Sequence, residues 1–148
     1  MEDRYKLFTQ LLGKITRTIR KIKTAEMSEF NLKSTHVSCL YYLQKEHVMT
    51  AHNLCTVCDE DKSAISKSLE QLEKAGLVVS NSKTKKKYNC PLSLTEKGSR
   101  VAEIIVDKVD AIVEMASRGI SAEKREIFYE CLMQINENLQ GLSDKYGE

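Results

Sequence analysis

Residues 50–76 read TAHNLCTVCDEDKSAISKSLEQLEKAG, and the fold turns on them. Thr50 is a good N-cap for a short helix, with Leu54, Val57 and Cys58 as its expected buried side. Asp59-Glu60-Asp61 breaks that pattern. Asp61 supplies a second cap, and Ile65, Leu69 and Leu72 recur at helical spacing as an inner stripe. Gly76 offers a left-handed stop just past the helix end. Two helices joined by a sharp acidic turn make a helix-turn-helix. Leu77 to Ser80 then reads as a strand, Asn81 to Lys87 as a polar turn, and Tyr88 to Leu94 as the returning strand. Pro91 cannot donate a ladder hydrogen bond, so that second strand fits an edge. The hairpin is a wing.

Working outward, residues 34–46 carry Val37, Leu40 and Leu43 on one face after a Ser34/Thr35 start signal. Residues 5–24 place Phe8, Leu11, Leu12, Ile15, Ile19 and Ile22 three or four apart. On the other side, Thr95 caps a long helix carrying Val101, Ile105, Val109, Ile112 and Ala116, which Gly119 ends. Ser121 caps a last helix with Phe128, Cys131, Leu132, Ile135, Leu139 and Leu142 as its stripe. The terminal stripes exceed what a small central unit can cover. A second copy of the chain is the simplest partner, with Phe8, Leu11, Leu12, Ile15, Phe128, Leu132, Ile135 and Leu139 as the dimerisation residues. The expected fold is mainly α with a small β-hairpin wing: a winged helix-turn-helix between terminal dimerisation helices. The expected division is 1–33 for the first dimerisation helix and linker, 34–98 for the winged unit and 99–148 for the last dimerisation helices.

Composition agrees. Of 148 residues, 41% are hydrophobic and 30% charged, a folding and soluble balance. One Pro and six Gly leave little material for an all-β chain. The longest uncharged stretch, His47 to Cys58, is too short and polar to span a membrane. The start Met1-Glu2-Asp3-Arg4 has no apolar signal region, so a cytoplasmic location is expected. Five Cys, an odd number, argue against a disulfide framework. Three His and no Trp are a thin supply for catalysis. No nucleophile–base pair, phosphate loop or carboxylate cluster is visible, so neither an enzyme nor a cofactor is expected.

The net charge of +2 hides a strong asymmetry. Residues 1–23 carry +5, residues 24–60 −3, residues 61–98 +4 and residues 99–148 −4. A basic middle segment on a helix-turn-helix suits double-stranded DNA, whose major groove admits one α-helix. With the inner stripe of the second helix buried, Lys62, Ser63, Ser66 and Lys67 face outward near its N-terminal end. Short hydroxyls approach phosphates or bases closely, and Lys67 can reach a guanine edge. At the wing tip, Lys83, Lys85, Lys86 and Lys87 fall within five residues, and their mutual repulsion is relieved by a polyanion.

The run Leu54 to Lys67, continuing through Leu69 to Leu72-Glu73-Lys74-Ala75-Gly76-Leu77-Val78, resembles the MarR family of bacterial transcriptional regulators. Leu92-Ser93-Leu94-Thr95-Glu96-Lys97-Gly98 is similar to that family's junction between wing and helix. The resemblance covers almost the whole chain. It implies a homodimer on a pseudo-palindromic operator, commonly a repressor released by a small-molecule inducer or by thiol oxidation. The sequence departs from the family where Lys86, Lys87 and Tyr88 stand in place of the wing's Asp-x-Arg. It departs again at Asp59, where Gly is common, and at Glu60, which replaces an apolar residue.

Cys55 and Cys58, spaced Cys-x-x-Cys, are the candidate redox pair, although small buried side chains are the plainer reading. Zinc would need two more ligands, and His47, His52 and Cys39 form no second motif, so no metal is expected. Cys90 and Cys131 read as core, and the His residues as surface or satisfied. Two other functions compete with a DNA-binding repressor. One is a winged-helix protein-interaction module without DNA, favoured by the acidic turn and the absent wing Arg. The other is a thiol-based regulator.

Overall fold

Each helix begins where a side chain takes up a backbone N–H that the helix itself cannot satisfy. The structure, a computed structural model, describes residues 3–81 and 89–147. Among these residues the order is α1 (Arg4–Glu26), a 3₁₀ turn (Ser28–Phe30), α2 (Ser34–Glu46), α3 (Ala51–Cys58), α4 (Lys62–Lys74), β1 (Val78–Ser80), β2 (Leu92–Leu94), α5 (Glu96–Ala116) and α6 (Ala122–Ser143). Thr50 Oγ1 accepts from Asn53 N at 3.1 Å, and Asp61 Oδ1 from Ala64 N at 2.7 Å. Thr95 Oγ1 accepts from Gly98 N at 3.0 Å, and Ser121 Oγ from Lys124 N at 3.3 Å. The start of α2 differs from expectation. Ser34 lies inside the helix, and the His36 ring accepts the Lys33 N–H at 3.0 Å.

The chain divides into two compact units, residues 1–109 and 110–148. In the first, α2 packs against α1, α3, α4 and β2. Its core holds Val37, Leu40, Leu43, Leu54, Ile65 and Leu72, all nearly free of solvent contact. Val57 does not join Leu54: it is 41% exposed, on the outer side of α3. Cys58 is half-buried and Cys90 buried. β1 and β2 pair antiparallel with Val78 opposite Leu94. The returning strand is shorter than its sequence suggests and begins just after Pro91. It is also flanked on both sides, because Leu92 exchanges hydrogen bonds with Met49 at 2.8 and 3.1 Å. Pro91 is tolerated because it precedes the ladder; its carbonyl accepts from Asn81 N at 2.8 Å.

α1 buries no residue, and Phe8, Leu11, Leu12 and Ile15 all stay exposed. The second unit holds the end of α5, a turn at Gly119 and α6. α6 also buries nothing: Phe128, Ile135 and Leu139 are exposed and Leu132 half-buried. Cys131, expected in the core, is exposed because the face it shares is uncovered. Among the described residues, no helix is long and apolar enough to cross a membrane.

Candidate nucleic-acid interface

α4 presents two opposed faces. Ile65, Leu69 and Leu72 are buried together with Ser68, while Lys62, Ser63, Ser66 and Lys67 are exposed. The sequence places these four residues correctly because the 3.6-residue period leaves them opposite the inner stripe. They occupy the first two turns, the end that reaches base edges when such a helix enters a major groove. Farther along, Glu70 and Lys74 pair at 3.5 Å, both well exposed. The cationic part of the face is thereby concentrated at its N-terminal end, where helix N–H groups also favour phosphate.

The helix is anchored along its length by contacts that sequence patterning did not reveal. His36 on α2 is buried, and its Nε2 lies 2.7 Å from Gln71 Oε1. Its Nδ1 already accepts from Lys33 N, so Nε2 is the donor to the Gln71 oxygen. The C-terminal end of α4 is gripped by the wing-to-helix junction. Thr95 Oγ1 donates to Gly76 O at 2.6 Å, and Lys97 Nζ donates to Ala75 O at 3.2 Å. A cation there meets the negative end of the helix dipole. The motif around Thr95 was visible in the sequence, but nothing there marked His36 as a link between α2 and α4.

The wing lysines Lys83, Lys85, Lys86 and Lys87 lie outside the described residues. Residues 32–98 match the family model described as winged helix DNA-binding domain. No curated protein matches the chain in sequence. Solved structures do match in fold. A MarR family transcriptional regulator from Listeria monocytogenes, complexed with 26mer DNA, is 23% identical with a TM-score of 0.82, over 94% of this chain and 90% of that one. The chain has the MarR fold. A MarR protein from Peptoclostridium difficile is 18% identical with a TM-score of 0.82, over 95% of this chain and 92% of that one. Staphylococcus aureus MarR in complex with salicylate and kanamycin is 21% identical with a TM-score of 0.80, over 95% of each chain.

Within the MarR fold, both departures in the acidic turn have physical explanations. Asp59 caps the C-terminus of α3 in the left-handed region, at φ 50° and ψ 47°. Glycine is the usual residue in that conformation, and Asp is among the few others that adopt it readily. Glu60 is turned back onto α1, with Oε1 3.4 Å from Arg20 Nη2. Arg20 is mostly exposed, so the pair contributes only about 0–1 kcal/mol. Its effect is to direct the carboxylate toward α1 and away from the α4 face.

The sequence's redox candidates are both half-buried on α3. The side chain that Cys58 meets is Cys39 of α2, whose thiol donates a hydrogen bond to it. Among the described residues, no three His, Cys, Asp or Glu side chains are grouped to hold a metal ion.

Proposed function

We propose that this chain is a sequence-specific DNA-binding transcriptional regulator. It acts as a homodimer on a pseudo-palindromic operator, as a repressor released by a small ligand. The observation that carries the reading is the exposed Lys62, Ser63, Ser66 and Lys67 face on a helix anchored at Gln71 and at its C-terminal end. The DNA complex of the Listeria protein and the salicylate complex of the Staphylococcus protein support the two kinds of partner. The acidic turn, the main support for a protein-interaction module, is engaged with α1 through Arg20. Selection of bound fragments from random duplex DNA tests the reading. An enriched inverted repeat is the expected result, and no enrichment at all overturns it.

Two substitutions separate base reading from backbone contact. Lys67→Ala is expected to weaken the selected operator by about 1–3 kcal/mol and to relax preference at one position of each half-site. An unchanged affinity in a binding titration removes Lys67 from the groove. Replacing Lys83, Lys85, Lys86 and Lys87 with Gln is expected to weaken all duplexes alike. If about two to four phosphate contacts are lost per subunit, the log–log slope against salt flattens by about 0.9 for each. An unaltered slope excludes the wing from phosphate contact.

A further inference from the structure

We infer that Cys58 is a site of oxidation by hydroperoxides, and that Cys39 resolves the product to a Cys39–Cys58 disulfide joining α2 to α3. The two thiols are already in hydrogen-bond contact, Cys39 donating. Cys39 is fully buried, whereas Cys58, the last residue of α3, keeps partial access to solvent. Lys23 reaches over from α1, with Nζ 2.9 Å from Ser38 Oγ, one residue before Cys39. Three elements thus bring a donor thiol, a cation and a half-exposed sulfur to one place.

The surrounding groups act on Cys58 in both directions. The Cys39 hydrogen bond holds it below the usual thiol range; burial opposes this, the Lys23 ammonium assists and Glu60 opposes. Glu60 is itself paired with Arg20. The end of the α3 dipole also disfavours an anion. Burial pulls Lys23 down from its ordinary range, and Cys58 pulls it back up. Cys39 is raised by its hydrogen bond to Cys58, by burial, and by Cys55 and Glu60, so it remains the protonated partner. Tyr42 of α2 also faces the cluster and is raised, first by burial and then by Cys58. The arrangement separates an attacking thiolate from a resolving thiol.

The Cys58 thiolate attacks a peroxide oxygen; the O–O bond breaks, an S–O bond forms, and the departing alkoxide takes a proton to leave as alcohol. Cys39 sulfur then attacks the sulfenic sulfur. The S–S bond forms, the S–O bond breaks, and the hydroxyl leaves as water with the Cys39 proton. Two thiols and one hydroperoxide become a disulfide, an alcohol and water. A disulfide brings the sulfurs to about 2.05 Å, much closer than hydrogen-bond contact. The end of α3 and the Asp59–Asp61 turn that starts α4 are drawn toward α2. The effect of this movement on DNA rests on the regulator reading above; the oxidation itself does not.

The test uses the reduced full chain, hydrogen peroxide and peptide mapping. Cys58 is expected to react about tenfold or more faster than the exposed Cys131 of the same chain. The product is expected to be linked to Cys39. Lys23→Gln should slow the reaction severalfold, and Cys55→Ser should leave the linkage intact. Cys39→Ser should leave a Cys58 sulfenic acid that a dimedone probe captures. A Cys55–Cys58 linkage, or a Cys58 no faster than Cys131, overturns the proposal, and both are read from the unmutated chain. On the selected operator, the reduced protein is expected to bind and the oxidised protein to bind at least about tenfold more weakly. Equal binding of the two forms overturns redox control of DNA. Mapped oxidation in a chain whose reduced form binds no duplex supports the thiol site and overturns only the regulator reading.

Discussion

A chain carrying both Phe128→Asp and Leu139→Asp is expected to sediment as a single subunit and to bind the operator at least about 100-fold more weakly than the parent. Both side chains are about half exposed, at 55% and 51%, so the substitutions cost the isolated subunit little. In an interface, each aspartate carries an ionised carboxylate into an apolar contact, at several kcal/mol unless it finds a partner. The loss is therefore concentrated in association and leaves the helical circular dichroism unchanged. Two linked half-site contacts give far tighter binding than one, so a subunit released from its partner retains only the weaker half. Analytical ultracentrifugation and a titration on the selected duplex check the two parts together. A double variant that stays dimeric, or a single subunit with full operator affinity, rules out this face as the basis of binding.

The central unit was legible in the sequence because its signals are local and redundant. Thr50, Asp61 and Gly76 mark helix ends through caps and a positive-φ stop, and Ile65, Leu69 and Leu72 fix which side of α4 is buried. The outward positions of Lys62, Ser63, Ser66 and Lys67 follow from helical geometry alone. What was not legible depends on approach between distant segments. Helical spacing could not show that Val57 faces solvent, because α3 has just eight residues and a narrow stripe. It could not show that Cys131 is exposed, because an apolar stripe looks the same whether it is covered within the chain or by something else. The Cys-x-x-Cys spacing directed attention to Cys55 as the partner of Cys58. The hydrogen-bonded neighbour comes instead from α2, nineteen positions earlier in the chain. His36 and Glu60 likewise acquire their roles from partners far away in sequence.

Gly98→Ala is expected to destabilise the fold by about 2–4 kcal/mol, opposite in sign to what helix propensity gives at an ordinary helical glycine. Gly98 lies in the first turn of α5, and an added Cβ would collide with the carbonyl oxygen of Leu77. The obstacle is backbone, so no side chain can rotate out of the way. Either α5 or the start of the hairpin must move, and the hydrogen bonds across that contact are the ones that hold α4. Thr95 N donates to Leu77 O at 3.0 Å, Thr95 Oγ1 to Gly76 O at 2.6 Å and Lys97 Nζ to Ala75 O at 3.2 Å. Replacing Gly by Ala inside a helix otherwise contributes up to about 1 kcal/mol, so the collision must outweigh that gain. Gly141 in α6 is the internal control: nothing lies within 4 Å of its would-be Cβ. Gly141→Ala is expected to stabilise the chain by about 0.5–1 kcal/mol. Denaturant midpoints at matched protein concentration compare the pair. Operator titration of Gly98→Ala adds a functional readout, because loosening the C-terminal grip on α4 should weaken binding even where the chain remains folded. If Gly98→Ala raised the midpoint as Gly141→Ala does, the close approach of α5 to Leu77 would be wrong, and with it the account of how the wing junction positions the recognition helix.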